Sequence, residues 1–141
     1  MIILDTNVIS ELAKPWAEPA VVAWADTQDP DGLFATTVSE AEMLYGVNIL
    51  AAGVRRDTLR RAVLTVFGAL LAGRVLPFDS AAAAEYADWA ADRRRVGQAV
   101  GMANLQIAAI ARARGAAAVA TRNLMDFSDF GVPLINPWAT P

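Results

Sequence analysis

The sequence predicts an α/β domain with a small, mostly parallel central sheet of four or five short strands flanked by helices. Three observations predict it. Short apolar runs at Met1–Leu4, Leu33–Thr36 and Ala116–Thr121 read as strands buried on both faces, as parallel strands are. Segments with helical periodicity separate them, and strands that alternate with helices join through crossovers into a parallel sheet. At 141 residues the chain is long enough for one domain, 1–141, with a real core.

Met1-Ile2-Ile3-Leu4 is the first strand, and it stops at Asp5-Thr6-Asn7. Val8–Ala13 reads as a short helix halted by Lys14-Pro15, and Glu18–Thr27 as a second, with Pro19 suited to its first turn. Asp29-Pro30-Asp31-Gly32 is a turn by composition. After the Leu33–Thr36 strand, Thr37 or Ser39 opens a helix running to about Ala52, which Gly53 ends. Asp57–Ala72 is the next helix, with Leu59, Val63, Val66, Phe67 and Leu70 on one stripe. Arg74–Phe78 is extended. Asp79-Ser80 caps an alanine-rich helix ending in Arg93-Arg94-Arg95, where basic residues suit the helix dipole. Gly101–Arg114 is a helix with Leu105, Ala108, Ile110 and Ala111 inward. Ala116–Thr121 is a strand, Arg122–Phe127 a turn or short helix, and Val132–Ile135 the last strand before Asn136-Pro137-Trp138.

Composition narrows the chemistry. The chain has no cysteine and no histidine, which removes disulfides, thiolate sites, imidazole bases and histidine zinc sites together. Catalysis would have to run on carboxylates, with a hard cation such as Mg²⁺ or Mn²⁺. The net charge of −3 argues against gripping nucleic acid by bulk electrostatics. Arginine is nonetheless clustered at 55–56, 60–61 and 93–95, where it presents solvated helix faces or meets phosphates or an acidic partner. No apolar run is long enough to span a membrane and no signal-peptide pattern is present, so the expected location is the cytoplasm.

The residues that carry chemistry arrive at one edge. A parallel strand delivers its next residues to the carboxyl edge of the sheet, where open α/β folds keep their sites. Asp5 comes directly after the first strand there, although it would equally cap the helix after it. The helix after Thr36 starts at the same edge, and about 100° per residue puts Ser39, Glu42 and Gly46 on one face. Glu42 is expected in the cleft, with Ala41, Leu44 and Tyr45 indicating a largely covered helix, and Glu40 on the exposed side. Asn104 and Gln106 bring polar groups in a helix's first turns. Thr121-Arg122-Asn123 and Asp126 come after another strand. Several carboxylates crowded at one edge repel each other unless a divalent cation lies among them.

Together, Asp5-Thr6-Asn7, the Ser39–Glu42–Gly46 spacing, Gln106-Ile107-Ala108-Ala109, Thr121-Arg122-Asn123 and Asn136-Pro137-Trp138 resemble a PIN-domain ribonuclease of the VapC/FitB type, over residues 1 to 138. The resemblance implies a PIN-like three-layer sandwich and Mg²⁺- or Mn²⁺-dependent cleavage of RNA. It also implies a homodimer, forming a heterotetramer or larger assembly with a VapB-type antitoxin, the toxin half of a type II pair. Asp5 and Glu42 match the first two acids of the metal site. Asn104 stands where the pattern has its third Asp, Asn123 at a fourth position, and Asp126 beside it as a supporting acid. Thr6, Asn7, Ser39, Thr121 and Arg122 match supporting or substrate-facing positions.

Asn104 is the departure, because an amide brings no charge and cannot act as a base. Impaired cleavage is the expectation. An engineered substitution, a natural attenuated paralogue and compensation by Asp126 each fit. The alternative function is a catalytically inactive PIN-fold protein that binds antitoxin or RNA. A haloacid-type hydrolase would need an acid where Asn7 stands. For the partner, the expectation is an apolar groove along the helices between 39 and 72 that takes an antitoxin helix. Arg93–Arg95 or Arg122 would meet its acidic end, and operator DNA would be bound through the antitoxin. Trp16, Trp24, Trp89 and Trp138 are too many to be core alone.

Overall fold

The computed structural model describes residues 1–98 and 101–139. Residues 99, 100, 140 and 141, part of the domain expected over 1–141, lie outside the described residues. Five strands form one parallel sheet: β1 (Ile2–Leu4), β2 (Leu33–Thr36), β3 (Val75–Leu76), β4 (Ala118–Ala120) and β5 (Leu134–Ile135), in the order β3-β2-β1-β4-β5. The strands are shorter than their apolar runs, because only the central residues pair. The helices are α1 (Thr6–Leu12), α2 (Pro19–Asp26), α3 (Thr37–Asn48), α4 (Val54–Thr65), α5 (Ser80–Arg95), α6 (Met102–Ala113) and α7 (Leu124–Phe127).

Side-chain alternation along the central strands feeds two separate cores. Leu4, Leu33, Ala35 and Ala120 face a core built with Val8 and Ile9 of α1, Val21 of α2, Val47 of α3 and Val63 of α4. Ile3 and Val119 face the other way, onto Leu105, Ile107, Ala108, Ile110 and Ala111 of α6, with Phe127 and Phe130. Helices therefore cover both faces in three layers. The buried face of α6 is the one its sequence pattern predicts.

Three local expectations need correction. α3 ends at Asn48 rather than near Ala52, and its cap is Thr36, whose Oγ1 accepts the Ser39 N–H at 3.1 Å, rather than Thr37 or Ser39. α4 begins at Val54, and after Thr65 the chain widens into a π-helical turn, Val66–Leu70. This turn keeps Val66 and Phe67 buried while Leu70 rotates outward to 50 % exposure and Leu59, on the first turns, is also exposed. The uniform stripe expected over Leu59–Leu70 is broken there, since one inserted residue rotates everything after it.

β1 lies between β2 and β4, so the chain leaves it to one side and returns to it on the other. That reversal makes the carboxyl ends of β1 and β4 a topological switch point, where an open parallel sheet has a crevice.

Candidate active site at the carboxyl edge of the sheet

Asp5 directly follows β1, and its N–H still pairs with Ala120 O of β4 at 2.9 Å. Its carboxylate is 1 % exposed. Oδ1 accepts the Thr6 N–H at 2.7 Å, so Asp5 caps α1 from its first residue and the helix starts earlier than Val8. Oδ2 accepts Thr121 Oγ1–H at 2.9 Å and Asn7 Nδ2–H at 3.2 Å. Burial nevertheless pushes the Asp5 pKa above its ordinary value, against the pull of the Thr121 and Thr6 bonds, and the charge of Glu42 adds to the rise. An acid in this state is short of positive charge.

Glu42 reaches the same place from α3. Its burial is the reverse of expectation: Glu42, Ala41, Tyr45 and Gly46 are exposed, and Glu40 is half-buried. α3 packs inward through Ser39 and Val47, a row that leaves Glu42 on the rim. What fixes Glu42 is Thr6, whose Oγ1–H donates to Oε2 at 2.5 Å.

That bond sets the direction of a whole chain of hydroxyls. A carboxylate only accepts, so the single Thr6 proton is committed to Glu42. Ser39 Oγ, 3.1 Å from Thr6 Oγ1, must then donate to it. Thr36 Oγ1, 3.3 Å from Ser39 Oγ, must donate in turn, and it accepts the Ser39 N–H. The order is Ser39 N–H to Thr36 to Ser39 Oγ to Thr6 to Glu42. Thr36 and Ser39 are both fully buried. A second chain runs from Asn123 N–H to Thr121 Oγ1 at 3.0 Å and on to Asp5. Each acid thus ends a one-way run of donors, in which every bond polarises the next. Thr36 was not among the sequence candidates. Its position directly between a strand and a helix was the signal.

The remaining predicted residues sit around this pair. Asn104, in the first turn of α6, donates Nδ2–H to Asp126 Oδ2 at 3.1 Å. An Asp at 104 would put two carboxylates at that separation, which requires a shared proton or cation. The amide instead satisfies Asp126 from within the chain. Asn123 precedes α7 with an exposed side chain that makes no capping bond. The Arg122 guanidinium lies 5.3 Å from the centre of the Trp138 ring. Of the arginine triplet, Arg93 is engaged by Asp129 at 2.8 Å and Gln98 at 2.6 Å, and Arg95 by Asp92.

Among the described residues, no three acids come close enough to hold one ion. Asp5 and Glu42 remain as two hard oxygen donors, linked through Thr6 and short of positive charge. Mg²⁺ is commonly held by one or two carboxylates and completed by water and substrate phosphate, so the donor set fits such an ion. A groove of about 410 Å³ opens beside it between α1, α3 and α4, with Thr6, Asn7 and Glu42 at one end and Met43, Val47 and Val63 along its apolar wall.

The sequence of the chain matches the PIN domain over residues 2–132. It is 43 % identical over 138 residues to the VapC ribonuclease Y4jK of Sinorhizobium fredii, covering 98 % of each chain. It is 36 % identical to the toxin FitB of Neisseria gonorrhoeae, covering 98 % of this chain and 99 % of FitB. The solved structure of FitAB bound to an IR36 DNA fragment superposes with a TM-score of 0.88 at 36 % identity, covering 100 % of this chain and 98 % of that one. With a fold, an acidic edge and full-length relatives in agreement, the chain belongs to the PIN-domain family, in its VapC/FitB branch.

Proposed function

We propose that this chain is a metal-dependent endoribonuclease, the toxin half of a type II toxin–antitoxin pair, attenuated by Asn104. The observation that carries the reading is Asp5: a buried acid with a raised pKa, paired through Thr6 to Glu42 at the switch point of the sheet. A bound Mg²⁺ or Mn²⁺ would stabilise charge on the phosphoryl oxygens and make water acidic enough to attack at neutral pH. The chain's own residues orient that chemistry. Thr6 and Thr121 keep Glu42 and Asp5 ionised, and the closed edge beneath them limits approach to one side. Asn123 and Asp126 lie next to this pair in the reading. Full-length likeness to a VapC ribonuclease supports RNA as the substrate.

The groove between α1, α3 and α4 supports a VapB-type antitoxin as partner, taken as an amphipathic helix. FitB's assembly with FitA on DNA supports the same arrangement, with operator DNA bound through the antitoxin. A homodimer, becoming a heterotetramer or larger with antitoxin, belongs to the same proposal, as does a cytoplasmic location. No described helix is long and apolar enough to cross a membrane.

The second reading is a catalytically inactive PIN-fold binder of antitoxin or RNA. The Asn104–Asp126 hydrogen bond favours it, because it satisfies an acid that a metal site would leave open. The deciding experiment compares this chain with Asn104→Asp on total bacterial RNA, antitoxin-free, with Mn²⁺ or Mg²⁺ and an EDTA control. Cleavage by the Asp variant far above the parent, lost in EDTA, is expected. No cleavage by either would move the inactive-binder reading to first place.

A further inference from the structure

One buried acid takes no part in this chemistry. Glu11, on the inward side of α1, is 9 % exposed. Its Oε1 accepts the Glu18 N–H at 2.8 Å and its Oε2 accepts Lys14 Nζ at 2.7 Å. It also feels the positive charge of Arg122, which reaches it from the far end of β4. One carboxylate therefore serves two cations, and the group keeps a net positive charge. Elsewhere, Arg74, Arg93, Arg112 and Arg114 each have an acid of their own.

The two cations stand on separate elements on either side of the acidic edge. Lys14 lines the groove that Thr6, Asn7 and Glu42 also line, and its side chain is 55 % exposed. Arg122 follows Thr121, the residue that donates to Asp5, and lies flat against Trp138. Stacking fixes the guanidinium plane and leaves its outer N–H groups free to form a fork for a phosphate. An RNA strand entering this edge meets the charges of Asp5, Glu42 and Asp126. A cation between the acids offsets them at the scissile phosphate, but the neighbouring phosphates need partners of their own.

We propose that Lys14 and Arg122 form a phosphate-binding pair that holds the RNA backbone on both sides of the cleaved bond, with Glu11 as the positioning residue beneath them. This rests on the ribonuclease reading. An acidic peptide would also suit two cations, but their placement on both flanks of Asp5 matches a strand that passes through the site.

The test is fluorescence anisotropy of a labelled single-stranded RNA oligonucleotide, with Ca²⁺ in place of Mg²⁺, over a series of salt concentrations. Lys14→Gln and Arg122→Gln each lose one phosphate contact. Each should reduce the slope of log affinity against log salt by about 0.7, and the affinity about fivefold at 0.1 M salt. Lys14→Arg keeps the charge and should keep both slope and affinity. Parent-like slope and affinity in both glutamine variants would overturn the pair and leave the acidic-peptide reading in its place, with the ribonuclease reading intact. No RNA binding by the parent or by Asn104→Asp at any salt would remove the ribonuclease reading and this inference together.

Discussion

Asp5 and Glu11 stand at the two ends of α1, and both are buried carboxylates, 1 % and 9 % exposed. Their surroundings push them in opposite directions. Glu11 has a lysine and a backbone N–H, and the Lys14 and Glu18 bonds hold its pKa below the ordinary value. Asp5 accepts from Thr6, Asn7 and Thr121, yet burial wins and its pKa rises. The difference is that Glu11 receives a full positive charge and Asp5 receives only dipoles. Neutral donors offset a buried charge incompletely, while an ion partner offsets it almost wholly. The structural acid is satisfied within the chain, and the site acid is left to be completed from outside.

The strongest way to test that contrast is Asp5→Asn. Cleavage by the Asn104→Asp background should fall to the EDTA level, while thermal melting stays level or rises, because an uncompensated buried charge has gone. A large drop in melting temperature would mean that Asp5 is as structural as Glu11. Thr36→Val comes next. It removes the first side-chain donor of the chain ending on Glu42, and should weaken Mn²⁺ binding by about 10–100-fold, the usual range for groups that orient ligands. Calorimetric titration measures this, and Thr36→Ser should restore it. An unchanged Mn²⁺ affinity in Thr36→Val would reduce the chain to a helix cap.

Glu11→Ala should lower stability by about 1.5–3 kcal/mol, the usual cost of hydrogen bonds to a charged group, while leaving the metal affinity of Asp5 and Glu42 in place. Urea unfolding checks it. The smallest effect is the response to acid, measured in EDTA. The Glu11 pKa is lower folded than unfolded, so its contribution is present above the ordinary glutamate range, about pH 4, and is lost as pH falls through the folded value. Asp5 is raised on folding, so protonating it as pH falls removes a penalty and adds stability. Glu11→Gln should therefore make the acid limb of stability shallower, and Asp5→Asn should make it steeper. Matching slopes in the two variants would erase the contrast.

The acid pair and the groove were legible to different depths. Asp5 was legible because a parallel strand must end at the carboxyl edge, wherever its neighbours lie. Thr6, Ser39 and Thr121 were legible as polar residues near it. The cleft position of Glu42 came from helical spacing, but its exposure did not, because spacing says which residues share a face and not what covers that face. The groove was expected along α3 and α4, and it also takes in α1 through Thr6, Ser10 and Lys14. Of the four tryptophans, Trp16 is 90 % exposed and the other three are half-buried, a division that their sequence context does not reveal.

The sequence by itself determined the alternation of strands and helices, the inward face of α6 and the acid at the end of β1. These depend on residue periodicity and capping, which act over a few neighbours. It also determined that no imidazole or thiol could do the chemistry. Tertiary structure alone decided how the charges are met. Thr121 reaches Asp5 across 116 residues and Thr6 reaches Glu42 across 36, so the order of strands in the sheet, rather than any local pattern, selects these partners. The same holds for Asn104 and Asp126, 22 residues apart. A carboxylate's state depends on what lies within a few ångströms of it, and only the folded sheet edge brings those groups there.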